Sequence, residues 1–387
     1  MRGMALIQRQ RLVAQIRSGL KHSPVVALLG SRQVGKSTLA HLACTGPEPV
    51  HYFDLELELD RRRLSLAPQT VLEQLRGTVV IDEIQRMPRL FELLRPLADR
   101  RPLPAHFLVL GSATPNLIRG VSETLAGRIQ FVPVPGLSLA EVGADRQADL
   151  WLRGGFPPAF LAQDDELSLR WRRDFITTFV ERDIPQLGLR IPSESIRRFW
   201  LMLGGYHGSI WNASEMARSL GTADKTARHY LDILTGTFAT RILSPWYENI
   251  PKRQIKSPKI YIRDSGLLHA LLDIQTVAQL QSNRIYGASW EGFALEQTLT
   301  SLGEDNAFFW NVQGVCELDL LLIRGGRRYG FEFKCTDAPV MTKSLHRAME
   351  ELELAHAWVV YPGKTAYPMH ERAGALPVGD ISSLVLR

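Results

Sequence analysis

Apolar and polar positions follow different periods in different parts of the chain. In the first third, continuous apolar runs at 25–29, 79–81 and 107–110 each end at a glycine or an acidic residue. Runs of this length are typical of strands that are buried on both faces of a sheet. Residues 38–43, after the first run and its loop, have a helical pattern. The first third therefore predicts an α/β domain with a parallel sheet.

The rest of the chain predicts three further domains. Residues 146–195 predict a helical connector or lid, because Gly-Gly and Pro-Pro breaks separate its helical segments. Residues 196–255 predict helices followed by a basic segment, and residues 256–387 alternate strands with helices. The predicted fold class is α/β, with domains at 1–145, 146–195, 196–255 and 256–387.

Composition narrows the class of protein only a little. The chain has 387 residues, with 45% hydrophobic and 22% charged, which is ordinary for a globular protein of several domains. A net charge of +6 permits an anionic partner such as nucleic acid without requiring one. Neither a secretory signal nor a run of about 18 apolar residues is present in the sequence. With three cysteines that lack metal spacing, the sequence predicts a cytoplasmic protein without membrane contact.

The strongest motif directly follows the first apolar run. Residues 30–38, GSRQVGKST, match G-x-x-x-x-G-K-[ST] between a predicted strand and a predicted helix. The glycines let backbone N–H groups face phosphate oxygens, while Lys36 reaches the β- and γ-phosphates and Ser37 ligates Mg²⁺. We expect the ATP-binding residues to be Gly30, Ser31, Arg32, Gln33, Val34, Gly35, Lys36, Ser37 and Thr38.

A second motif is the β-branched strand at 78–83, which ends in two acidic residues. Following a phosphate-binding loop, this pattern predicts that Asp82 holds Mg²⁺ and that Glu83 orients and deprotonates the attacking water. Alone, such a pattern would also fit a solvated strand end.

Two more residues are candidates for contacts to the γ-phosphate. A strand at 106–112 predicts a polar contact from Ser112, with Thr114 and Asn116 as substitutes, although Ser112 could equally be a helix cap. Arg128 follows a short helix and a glycine, and is a candidate arginine finger acting across a subunit boundary. The alternative for Arg128 is a solvated surface arginine.

These motifs together resemble a known family. The segments GSRQVGKST, VVIDEIQRMPRL, LVLGSATPNLI, ETLAGR, LRGGFPPAF and VERDIPQLG are similar to a group of bacterial and archaeal predicted ATPases of the AAA+ superfamily. YIRDSGLLHALL and GASWEGFALEQ resemble the C-terminal region of that group, so the similarity spans nearly the whole chain. The resemblance implies an ATPase sheet with a central P-loop strand, and it implies a homo-oligomer.

Residues 196–255 have the pattern of a winged helix. Two short helices at 213–221 and 222–237 meet in a helix-turn-helix arrangement, and a basic segment follows them. We expect DNA phosphates to be contacted by Lys225, Arg228, Lys252, Arg253 and Lys256. The alternative is a winged helix that serves as a packing module, and no residue here predicts sequence-specific readout.

The C-terminal strands resemble the restriction-endonuclease-like fold with its PD-(D/E)xK signature. Asp319 and Glu332 come from adjacent strands and could hold Mg²⁺, while Lys334 shares a strand face with Glu332. Glu291, on the preceding helix, matches the accessory acid of that fold. The alternative is that these charges only pair with one another on exposed strand faces.

Three functions follow from these patterns. The first is an ATPase that binds ATP and Mg²⁺ and remodels or moves on DNA, possibly branched. The second is an ATP-dependent nuclease, and the third is a nucleotide-gated switch that binds protein partners.

Overall fold

The computed structural model describes residues 6–111, 124–186, 189, 191–247, 255–312 and 315–386. The chain divides into two compact units. The first unit comprises Met1–Gly136 with Asp232–Phe238, and the second comprises Leu137–Leu231 with Ala239–Arg387. Within the described residues, no helix has the length and apolar character needed to cross a membrane.

The first unit is built on a five-stranded parallel sheet. Its strands are β1 (Val25–Leu29), β2 (Val50–Asp54), β3 (Gly77–Asp82), β4 (Ala105–Gly111) and β5 (Ile129–Pro133), in the order β2-β3-β4-β1-β5. Every pair is parallel. Because β4 lies between β1 and β3, an added strand separates the phosphate-binding loop from the acidic strand end, as the sequence predicts.

Helices cover both faces of this sheet. They are α1 (Gln10–His22), α2 (Lys36–Ala43), α3 (Glu58–Leu66), α4 (Pro68–Glu73) and α5 (Leu90–Ala98). Side chains of β1 alternate between two separate cores: Val25 and Ala27 belong to one, and Val26 and Leu28 to the other. Burial on both faces explains the uninterrupted apolar runs. The loop before α2 begins at the carboxyl edge of this sheet.

The second unit begins with helices and a small sheet. The helices are α6 (Leu139–Val142), α7 (Gln147–Arg153), α8 (Pro157–Phe160), α9 (Asp165–Thr178), α10 (Ile184–Gln186), α11 (Ser193–Gly205), α12 (Ala213–Leu220) and α13 (Asp224–Gly236), whose residues from Asp232 onward belong to the first unit. The strands are β6 (Ser209–Ile210), β7 (Thr240–Leu243) and β8 (Lys259–Ile262), in the antiparallel order β6-β8-β7. The chain thus runs α11, β6, α12, α13, β7, β8.

A larger mixed sheet completes the second unit. Its helices are α14 (Ser265–Leu271), α15 (Val277–Ser282), α16 (Tyr286–Leu302) and α17 (Lys343–Glu351). Its strands are β9 (Ala307–Val312), β10 (Cys316–Arg324), β11 (Arg327–Phe333), β12 (His356–Tyr361), β13 (Tyr367–His370) and β14 (Ala373–Pro377), in the order β13-β14-β12-β11-β10-β9. The pairs β11–β12 and β12–β14 are parallel and the others antiparallel.

The predicted α/β class is confirmed, with a parallel sheet in the first unit and a mixed sheet in the second. Phe331, Glu332 and Phe333 are all buried, so the strand faces that carry Glu332 and Asp319 are not exposed. The division into four domains stays a prediction.

Candidate nucleotide-binding site and a second acidic cluster

The loop between β1 and α2 has two positions that only glycine fits. A Cβ on Gly30 would lie 2.4 Å from the carbonyl oxygen of Val134, so the backbone approaches too closely for any side chain. Gly35 has open space around it, but its φ of +96° is in the left-handed region that other residues rarely adopt. These two positions make the loop curl at the amino end of α2, where backbone N–H groups attract anions.

Lys36 is folded back over this loop. Its Nζ donates hydrogen bonds to the carbonyl oxygens of Gly30 at 3.1 Å and Ser31 at 2.8 Å, and the residue is only 5% exposed. The ammonium therefore already lies in the concave side of the loop, where phosphate oxygens could replace the carbonyl contacts. Thr38 is exposed in the first turn of α2.

Ser37 and Asp82 meet at the carboxyl edge of the sheet. The Ser37 hydroxyl donates to Asp82 Oδ2 at 2.6 Å, and the Tyr52 hydroxyl donates to the same oxygen at 2.6 Å. Asp82 is nearly buried, so its two hydroxyl donors compensate for lost water. A hydroxyl and a carboxylate side by side are oxygen ligands of the kind that Mg²⁺ prefers, so the residues fit the ion.

Glu83 follows directly in a constrained backbone conformation. Its φ is +55°, its N–H donates to Asp82 Oδ1 at 2.9 Å, and the side-chain amide of Gln85 donates to its Oε2. Left-handed backbone at a residue other than glycine is typical of functional sites. Burial raises the pKa of the Glu83 carboxyl, with the Lys36 ammonium opposing the shift. A carboxyl of raised pKa suits a group that takes a proton from water.

Arg32 of the loop is held by an acid that the sequence analysis missed. Its guanidinium contacts Glu56 Oε1 at 2.9 Å, and the same oxygen contacts Arg86 at 3.1 Å. Glu56 lies after the short edge strand β2, where nothing in the local pattern indicated a functional residue. Tyr52, on β2 itself, was missed for the same reason.

Of the other candidates for the ATP site, one lies away from the phosphate-binding loop and the rest lie outside the described residues. Arg128 immediately precedes β5, and its carbonyl accepts a hydrogen bond from Val25 at the start of β1, so it lies at the amino edge of the sheet. Its guanidinium makes a two-point ion pair with Asp99, at 2.6 and 3.0 Å. Arg128 is thus far from its own phosphate-binding loop. The proposed γ-phosphate contacts Ser112, Thr114 and Asn116 lie outside the described residues.

The candidate DNA-binding residues are placed in part. Lys225 and Arg228 are exposed on α13, and Lys256 is exposed before β8. Lys252 and Arg253 lie outside the described residues. The basic segment that follows is not all exposed, however. Lys259 and Arg263 are held inward by acidic side chains, so the wing that the sequence suggested over 251–263 does not extend over its last residues.

Lys259 lies at the centre of the C-terminal acidic residues. Its Nζ is 3.0 Å from Glu291 Oε1, 2.5 Å from Glu317 Oε1 and 3.8 Å from Asp319 Oδ1. The Tyr261 hydroxyl donates to Glu291 Oε1 at 2.6 Å. We call Lys259, Glu291, Glu317 and Asp319 the acidic cluster. Lys259 was missed because the sequence placed it in the basic segment at 251–263.

Glu332 and Lys334 form a separate pair beside this cluster. Lys334 Nζ contacts Glu332 Oε1 at 2.9 Å, and the Thr342 hydroxyl donates to the same carboxylate at 3.1 Å. Asp319 Oδ2 accepts the N–H of Phe333 at 2.9 Å. Burial raises the pKa of Asp319 to about 7, with Glu291 adding to the shift and Lys259 opposing it.

The predicted second Mg²⁺ site does not fit this arrangement, since both of its carboxylates already face an ammonium group. Within the described ranges, no group of three or more His, Cys, Asp or Glu side chains could hold a metal ion. The structure brings Asp319 and Glu332 to adjacent strands but pairs each with a lysine.

The parallel sheet, the phosphate-binding loop and the acidic strand end of the first unit have the arrangement of a P-loop domain. Residues 22–143 match the family described as AAA domain. Residues 144–278 match a domain of unknown function (DUF8612), and residues 286–381 match a domain of unknown function (DUF4143).

The whole chain has curated relatives of similar length. It is 47% identical over 376 residues to an uncharacterized protein of Mycobacterium tuberculosis, covering 97% of this chain and 85% of the relative. An uncharacterized protein of Mycobacterium bovis matches with the same identity and coverage. The chain belongs to the family of these proteins.

Among solved structures, the Walker-type ATPase of Pyrococcus abyssi is similar over 69% of this chain and 96% of its own, with 17% identity and a TM-score of 0.49. RuvB of Thermotoga maritima is similar over 60% of this chain and 89% of its own, with 18% identity and a TM-score of 0.29.

Proposed function

We propose that this chain hydrolyses ATP with Mg²⁺ and couples hydrolysis to remodelling of, or movement on, DNA. The contact between Ser37 and Asp82 carries the ATPase part, because it joins the phosphate-binding loop to the acidic strand end. Bound Mg²⁺ would neutralise charge on the β- and γ-phosphates. Ser37 and Asp82 would hold it, and Lys36 would turn from the loop carbonyls to the phosphates.

Glu83 is the proposed general base. Its carboxyl follows Asp82 directly and is held by Gln85, so its position relative to the ion ligands is fixed by the strand end. Burial favours its uptake of a proton from the attacking water.

A homo-oligomer is part of the proposal. Arg128 is separated from its own loop by the length of β1, roughly 13 Å at the usual rise per residue. It could therefore act on a phosphate only from a neighbouring subunit, where an arginine stabilises charge in the transition state.

DNA binding rests on the arrangement of α11 to β8. Two short helices are followed by an antiparallel pair, which is the element order of a winged helix. The turn between α12 and α13 is well defined: Asn212 caps α12, Gly221 ends it with a φ of +68°, and the Ser214 hydroxyl donates to Asp224 at 2.5 Å. Lys225 and Arg228 are then exposed on one face of α13, where they could contact phosphates.

The test is binding of a fluorescent duplex and a fluorescent branched DNA by anisotropy over a salt series. We expect the doubly charge-reversed variant K225E/R228E to bind at least about tenfold more weakly and to lose about two units of the logarithmic salt slope. The matched control reverses two exposed lysines outside α13, K343E/K364E, and should bind like the wild type. Hydrolysis should also rise when DNA is added.

Equal binding by the wild type and K225E/R228E would contradict the DNA interface on α13. Absence of binding even at low salt would favour the nucleotide-gated switch that binds protein partners. The lysine in the acidic cluster, Lys259, disfavours the ATP-dependent nuclease.

A further inference from the structure

We propose that Lys259 is the resident cation of the acidic cluster and takes the place that a nuclease-like arrangement would give to a divalent ion. Its ammonium is within 3.0 Å of the carboxylates of Glu291 and Glu317 and 3.8 Å from that of Asp319. The inference concerns the second unit alone and does not depend on ATP hydrolysis by the first.

The burial of Lys259 requires these acids. Its side chain is 6% exposed, and an ammonium removed from water is tolerated only when it is paired and hydrogen-bonded. Three carboxylates surround it, and the ring of Phe309 lies below, 5.7 Å from Nζ to the ring centroid. The cluster is therefore a set of acids organised by one internal positive charge.

The backbone of Lys259 keeps the ammonium in place. Residue 259 begins β8, the central strand of its sheet, and it is paired with Ile210 on one side and with Leu243 on the other. The carbonyl oxygens of its neighbours Pro258 and Ile260 also accept hydrogen bonds from Trp211 at 2.7 Å and Gly208 at 2.8 Å. Because the strand is held on both sides, its backbone directs the Lys259 side chain toward the cluster.

A divalent ion would compete directly with this ammonium. Mg²⁺ requires oxygen ligands at about 2.0–2.1 Å in octahedral geometry. Of the two carboxylates in the predicted Mg²⁺ site, Asp319 has Oδ1 facing Lys259 Nζ and Oδ2 accepting the N–H of Phe333, while Glu332 contacts Lys334. An ion bound by these two carboxylates would lie next to two ammonium groups that already contact its ligands. This arrangement opposes metal-dependent cleavage.

The test measures Mn²⁺ binding to the full chain by electron paramagnetic resonance, without nucleotide, together with thermal unfolding. The wild type and D319N should bind the same number of Mn²⁺ ions. K259M, which keeps most of the apolar stem, should unfold about 5 °C or more below the wild type and should gain one Mn²⁺ site. K259M/D319N should lose that additional site.

A second variant distinguishes loss of the ion pairs in K259M from a general folding defect. K259M/E291Q removes one cation and one acid together, so it should unfold at a higher temperature than K259M. Three results would overturn the proposal: a Mn²⁺ ion in the wild type that D319N removes, K259M that unfolds like the wild type, or K259M that gains no site. DNA cleavage by the wild type that D319N abolishes would also overturn it.

Discussion

The hydroxyl of Ser37 donates a hydrogen bond to Asp82 Oδ2 at 2.6 Å, joining the first turn of α2 to the end of β3. Since β4 lies between β3 and β1, and α2 follows β1, the contact crosses a full strand of the sheet. Two residues that the sequence assigned to the same ion from separate motifs are therefore neighbours.

Tyr52 should set the requirement for Mg²⁺. It donates the second hydrogen bond to Asp82 Oδ2 and stacks on His41 at 4.7 Å between ring centroids. Tyr52→Phe keeps the stacking and removes only the donor. We expect about tenfold more Mg²⁺ to be needed for half-maximal hydrolysis, because the carboxylate is no longer oriented. The measurement is a Mg²⁺ titration of phosphate release, and an unchanged midpoint would show that Tyr52 does not position Asp82.

Gly30→Ala should weaken both ATP binding and folding. The added Cβ would lie 2.4 Å from the Val134 carbonyl oxygen, so the loop or its neighbour must move, at a cost of about 1–3 kcal/mol. Gly287→Ala is the matched control, since it adds the same methyl group to helix α16 where no atom lies within 4 Å. The measurements are denaturant unfolding and ATP titration of both variants. Equal stability of the two would contradict the close approach of the Gly30 backbone to the Val134 carbonyl oxygen.

His269 should make the second unit sensitive to acid. Its Nδ1 donates to the Leu152 carbonyl at 3.0 Å, so Nε2 accepts from the Ser289 hydroxyl at 2.7 Å, and that hydroxyl oxygen accepts from Trp151 Nε1 at 3.0 Å. A ring with this pattern is neutral. Burial lowers the pKa of His269 to about 4, with the hydrogen bond to the Leu152 carbonyl opposing the shift and the nearby Arg172 guanidinium contributing to it.

The sign of the resulting pH dependence follows from that pKa. The unfolded chain takes up a proton near pH 6.5 and the folded chain only near pH 4, so the stabilisation is complete above pH 6.5 and is lost as pH falls toward 4. Between pH 7.5 and 5 the loss should be about 2 kcal/mol. His269→Asn can still donate to the carbonyl but does not titrate. Its unfolding free energy should therefore fall less over this range, and identical pH slopes would refute the assignment.

Arg128 should act between subunits. Arg128→Ala and Lys36→Ala should each lose about 10³-fold or more in turnover, and a mixture of the two should recover activity because one subunit supplies the arginine and the other the phosphate-binding loop. Phosphate release from the mixture measures this. Wild-type turnover of Arg128→Ala would mean that the residue serves only its ion pair with Asp99.

Sequence predicted the parts of the first unit that local chemistry determines. The apolar runs became β1, β3 and β4 because both sheet faces are buried, and the glycines and Lys36 lie where their motif requires. The edge strand β2 was not predicted, since its pattern at 50–54 is half exposed and short. Tyr52 and Glu56 reach the site only through that strand, so a local reading could not assign them.

In the second unit the sequence predicted which acidic side chains share a side of the sheet, but not which cations contact them. Alternation along β10 and β11 predicted that Asp319 and Glu332 point to the same side of adjacent strands. Which cation would meet them depends on β8, which is distant in sequence and pairs into a different sheet. Lys259 therefore appeared to belong to a basic surface segment, although its ammonium is buried and forms an ion pair with Glu291.

Glu83 is proposed to activate water in a site that binds Mg²⁺ and ATP through Lys36, Ser37 and Asp82. Glu83→Gln tests this most directly, with nucleotide binding and phosphate release determined on the same preparation. We expect ATP affinity within about threefold of the wild type and turnover reduced at least about 100-fold. Wild-type turnover in Glu83→Gln would show that Glu83 is not the general base.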